Sequence, residues 1–115
     1  MHLTQAVMLG TDPEAFFTKN GMVIGAEKVI GSGIEAKYGY SKAVLDGVQT
    51  EFHLMQGSAY TVATGLHQIL QTLRAKLAEP IYRDVHLCWD GVIEVSKEEL
   101  RSLQPSSRVL GCQPS

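Results

Sequence analysis

The segment from Ser58 to Ala78 limits the possible folds of this chain more than any other stretch. Val62, Leu66, Ile69, Leu70, Leu73 and Leu77 recur with the 3.6-residue period of an α-helix, and no proline interrupts them. Ser58 follows a glycine and suits an N-cap, while Pro80 stops the run. A long helix with one apolar stripe is stable only when that stripe is covered. The rest of the chain must supply the covering surface, and it reads mainly as strands.

Gln5 to Leu9 is a short apolar stretch and reads as a strand. Gly10-Thr11-Asp12-Pro13 is a turn, because proline restricts the residue before it and fixes its own φ. Ala15 to Thr18 and Met22 to Ile24 flank Lys19-Asn20-Gly21, and Asn-Gly takes the positive φ values of a type I′ turn. Residues Phe16 to Ile24 therefore form a β-hairpin. Ala26 to Ile30 is expected to continue extended. Gly31 to Ser41 is expected to be a long loop. Lys42 to Leu45 is a strand, Asp46-Gly47 a tight turn, and Val48 to Leu54 alternates with period two. Val48, Thr50, Phe52 and Leu54 should face the core, which leaves Gln49, Glu51 and His53 on the opposite face. After the long helix, Asp84 to Trp89 reads as a strand with Val85, Leu87 and Trp89 on one side. Asp90-Gly91 is a turn, and Val92 to Val95 is extended. Ser96 starts a short helix, with Glu99 at the capping-box position and Pro105 at its end, and Arg108 to Cys112 is a last strand. The expected fold is α+β: one domain over 1–115, with a mostly antiparallel sheet and one long and one short helix packed on one face. The other face is left for a ligand or partner.

With a net charge of −2 and scattered Lys and Arg, the chain shows no basic stripe for nucleic acid. No apolar run reaches the roughly 20 residues that span a bilayer. The N-terminus lacks the basic start and long apolar core of a signal peptide, so the expected location is the cytoplasm. Cys88 and Cys112 are too few for a disulfide scaffold and too far apart for a paired-cysteine metal knuckle. They read as reduced thiols.

The residues that point to chemistry are mainly carboxylates. Glu51 interrupts an apolar strand, and a carboxylate there costs stability unless it is solvated, paired or metal-bound. Asp12, Glu14 and Asp46 are further candidates. His53 shares a strand face with Glu51, so the two can hold a divalent metal jointly or act as an acid–base pair. His2, His67 and His86 have no metal-helix spacing and read as ordinary surface or hydrogen-bonded residues. Gly31-Ser32-Gly33 is a glycine-rich loop with neither the Walker A ending nor the dinucleotide fingerprint, so it reads first as loop punctuation. No serine sits on a nucleophile elbow, and no catalytic residue is assigned.

In order along the chain, Asp12-Pro13-Glu14, Phe16-Phe17, Asn20-Gly21, Ile30-Gly31-Ser32, Asp46-Gly47-Val48-Gln49-Thr50-Glu51-Phe52-His53 and Gly111-Cys112-Gln113-Pro114 resemble motifs of the phage-type carboxylate–amine ligases of type 2. That group is related to glutamine synthetase and glutamate–cysteine ligase. The resemblance implies an ATP- and Mg²⁺-dependent enzyme. ATP phosphorylates a substrate carboxylate, and an amine then displaces phosphate from the acyl phosphate to form an amide. It implies Glu14 and Glu51 as Mg²⁺ ligands, and His53 stands where the family has Asn. The family's Ile-Gly-Gly-Thr-Lys loop becomes Ile30-Gly31-Ser32-Gly33-Ile34 here, without its lysine; Gly31, Ser32 and Gly33 are the nucleotide-binding candidates. The match corresponds to the N-terminal half of such an enzyme, so the chain is expected to be a fragment or a reduced relative. Its partners would be small-molecule or peptide carboxylates and amines. The alternative is a phage-encoded binding, inhibitory or structural module that kept the sheet, works in the host cytoplasm, engages a protein partner and needs no cofactor.

Overall fold

The computed structural model describes residues 13–89 and 95–104. The strands expected at Gln5–Leu9 and Arg108–Cys112, the Asp12 carboxylate, His2, Cys112, the Asp90-Gly91 turn and the Gly111–Pro114 motif lie outside them.

The first described strand, β1, runs Glu14–Lys19 and turns at Asn20-Gly21 into β2, Met22–Ile24. The turn residues have φ of 53° and 82°, and Lys19 pairs with Met22, as a type I′ hairpin requires. A single helical turn follows: α1, Glu27–Ile30. This corrects the extended conformation expected for Ala26–Ile30. Val29 and Ile30 are β-branched, but tertiary contacts override that preference. Both are buried, and the Ala26 N–H donates to the Val48 carbonyl at 2.9 Å.

The expected loop at Gly31–Ser41 also contains a strand, β3, Gly33–Glu35. It pairs antiparallel with β4, Lys42–Asp46, which turns at Gly47 into β5, Gln49–His53. Then α2, Ala59–Leu77, starts where the sequence places it, with the Thr61 N–H donating to Ser58 Oγ at 3.2 Å. A 3₁₀ turn, Pro80–Tyr82, leads into β6, Val85–Cys88. The last described element is α3, Lys97–Ser102.

The six strands form one antiparallel sheet, ordered β2-β1-β5-β4-β3, with β6 also on β1. β1 is the branch point. Its first residues pair with β5, Glu14 opposite Glu51 and Ala15 opposite Thr50. Its later residues pair with both β2 and β6. Ile69 and Leu73 of α2 pack with Ala15, Phe17, Ala43, Phe52 and Val85 on one face of the sheet. Because side chains alternate along a strand, Glu14, Val44, Asp46, Gln49, Glu51 and His53 belong to the other face. Phe16 points the same way and is also buried. No helix among the described residues is long and apolar enough to cross a membrane.

α3 shows one departure from its sequence signature. The Glu99 N–H donates to Ser96 Oγ at 3.1 Å, which is the expected cap. The Glu99 carboxylate reaches away from the cap, accepting from the Gly25 N–H at 2.7 Å and from Lys28 Nζ at 2.8 Å. Leu103, at the end of α3, is buried close over Gly25. Glu99 thus fastens α3 to the turn before α1. Replacing Glu99 with Ala should destabilise the protein by about 2 kcal/mol, because a backbone donor loses a charged acceptor. Ser58→Ala, the loss of one helix cap, should cost only about 1 kcal/mol. Urea unfolding of the two variants would measure the difference.

Candidate metal centre

Two facts of register build the site. The β1–β5 pairing sets Glu14 directly opposite Glu51, and the β4–β5 hairpin brings Asp46 beside Gln49, on the same face. One oxygen from each of Glu14, Asp46 and Glu51 lies within 4.8 Å of the others. Like charges directly opposite on adjacent strands repel, and a third carboxylate adds to the repulsion. Glu14 carries the consequence: its pKa is raised from 4.5 to about 7. The largest cause is a hydrogen bond to the Asp46 side chain, which favours a proton on Glu14. Partial burial follows, then the negative charges of Asp46 and Glu51.

The donor set fits a hard divalent cation. Carboxylate oxygens suit Mg²⁺, Mn²⁺ and Ca²⁺ better than softer metals. Metal–oxygen distances of about 2.1 Å for Mg²⁺ and about 2.4 Å for Ca²⁺ put opposite ligands about 4.2 and 4.8 Å apart, so the three oxygens need little movement to enclose one ion.

Of the residues singled out in the sequence, Glu14 and Glu51 come together as expected. His53 stands beside the cluster, with Nε2 2.6 Å from Glu51 Oε2, and so fixes one oxygen of that carboxylate. Asp46 takes the third position. The sequence marks it as a turn residue and a further candidate carboxylate, but its place beside Glu14 and Glu51 depends on strand register. Gly33 lies on the same cross-sheet row, which runs Gly33, Val44, Glu51, Glu14. At strand spacings of about 4.8 Å it is about 10 Å from Glu51. The Gly31-Ser32-Gly33 turn follows α1, with the Gly31 N–H donating to the Glu27 carbonyl at 3.0 Å. It opens no helix, so no helix N-terminus points at a phosphate there. His67 and His86 are exposed, and neither belongs to a metal-ligand cluster among the described residues. Cys88 is half-buried, with Sγ 3.8 Å from Thr18 Oγ1.

No protein family, curated protein or solved structure matches this chain.

Proposed function

We propose that the face of the sheet opposite α2 binds a divalent cation through Glu14, Asp46 and Glu51, in the service of an ATP-dependent carboxylate–amine ligation. The observation that carries this reading is the convergence of three carboxylates from three strands within 4.8 Å. The ligase assignment itself rests on the motif order described above. A cation there would offset charge on a transferring phosphoryl group. Glu14, Asp46 and Glu51 supply the oxygens. His53 orients Glu51, as hydrogen-bonded neighbours of ligating carboxylates commonly do. The Gly31-Ser32-Gly33 turn borders the same face and is the segment assigned to the nucleotide.

Thermal unfolding with Mg²⁺, and then with Mg²⁺ and ATP, tests both parts. A ligand at about 100 times its dissociation constant stabilises a fold by about 2.7 kcal/mol, so the melting midpoint should rise by several degrees. Glu51→Gln should abolish the rise. If millimolar Mg²⁺ or Mn²⁺ leaves the wild-type midpoint unchanged, the cation reading is wrong. If the cation acts and ATP adds nothing, the ligase assignment falls and the metal centre stands.

A further inference from the structure

On the helix side of the sheet, a cleft of about 420 Å³ opens between the second half of α2 and β6. Leu70, Leu73 and Leu77 form one wall, and Val85, Leu87 and Trp89 form the other. Trp89 rests on the buried Phe52 ring at a centroid distance of 5.5 Å, yet 48% of its surface is exposed. Arg74 also borders the cleft and makes no ion pair with a described residue. The neighbouring cation, Lys76, lies over the Tyr82 ring at 5.5 Å. Among the described residues, no Asp or Glu lines the cleft.

Cavities of about 300 to 1,000 Å³ with apolar walls and a few fixed polar groups are the usual form of small-molecule sites. Here the described walls are mainly aliphatic and aromatic, with His86 also among the lining residues, and the guanidinium at the edge belongs to Arg74. Its planar fork matches a carboxylate in two parallel hydrogen bonds. We propose that this cleft binds an amphiphilic carboxylate, such as a medium-chain fatty acid, with the chain along the leucines and Trp89 and the head on Arg74. The site is on the opposite face from the carboxylate cluster and stands independently of it.

Trp89 is the single tryptophan of the chain, so its fluorescence reports the cleft directly. Titration with decanoate below its micelle concentration should give a saturable blue shift. Decanol should bind about tenfold more weakly, because it lacks the charged head. Arg74→Gln should weaken decanoate by about tenfold and leave decanol unchanged, while Arg74→Lys should recover part of the loss. Arg74 is exposed, so these variants should keep the wild-type fold, which circular dichroism checks. Equal affinity for decanoate and decanol would overturn the proposal, as would the absence of a saturable shift. A Trp89 spectrum that changes with protein concentration alone, together with a dimer on size-exclusion chromatography, would assign the cleft to a second copy of the chain and also overturn it.

Discussion

Replacing Phe52 with Ala should lower stability by about 4 kcal/mol, the largest loss expected from any single substitution discussed. Phe52 is completely buried. It contacts the core beneath α2, and its ring supports Trp89. Its N–H also donates to the Pro13 carbonyl at 2.8 Å, a bond the substitution leaves in place. The loss is therefore one of packing. A domain of this size has only about 5 to 15 kcal/mol in total, so the melting midpoint should fall by about 15 °C or more. Trp89 emission should shift to the red as its support is removed. A fall of only a few degrees would mean that Phe52 is not the keystone between α2 and the sheet.

Glu14→Gln should do the opposite at alkaline pH. The Glu14 carboxyl has a pKa near 7 in the fold, against 4.5 for the ordinary group. The folded protein therefore holds a proton that the unfolded chain gives up between those values. The stability this contributes is complete below about pH 4.5 and is lost as pH rises through about 7. Above that, an ionised Glu14 faces Asp46 and Glu51. Gln cannot ionise, so in cation-free buffer near pH 8 the variant should be the more stable protein. Glu14 is exposed, and solvent screening keeps the expected gain to about 1 kcal/mol. Near pH 4.5 the two proteins should melt together. With Mg²⁺ present the order should reverse, because only the wild type can use the third carboxylate. Melting curves across this pH range, with and without Mg²⁺, read all three statements. A variant that is less stable than wild type at pH 8 without cation would remove the repulsion argument.

Particular residues explain how far the sequence reached. The hairpin at Asn20-Gly21 was readable because two adjacent residues demand positive φ, and nothing distant has to agree. The long helix was readable because its period repeats over five turns. The faces of β5 followed from alternation, and His53 does lie with Glu51. α1 and β3 were missed for a shared reason. They are four and three residues long, too short to express a period. Their conformations come from partners: the Val48 carbonyl for the turn before α1, and the paired strand β4 for β3. Asp46 belongs to the same class. Its chemistry was visible, but its place beside Glu14 depends on two registers at once. Glu99 shows a further limit, since a capping-box signature predicted its backbone correctly and its carboxylate incorrectly.

The forked pairing of β1 has a kinetic consequence. Its hairpin with β2, and the hairpin of β4 with β5, each close over a two-residue turn, an event that takes about 1 to 10 μs in isolated peptides. Neither hairpin contains the metal centre. Glu14 and Glu51 meet only when one hairpin docks against the other, a non-local step that must first overcome the entropy of closing the intervening chain. That step brings together the most mutually repulsive side chains in the sheet. A cation that bridges them would act on the docking itself, so it would speed folding as well as slow unfolding. The candidate centre is thus also the seam along which the two halves of the sheet are joined.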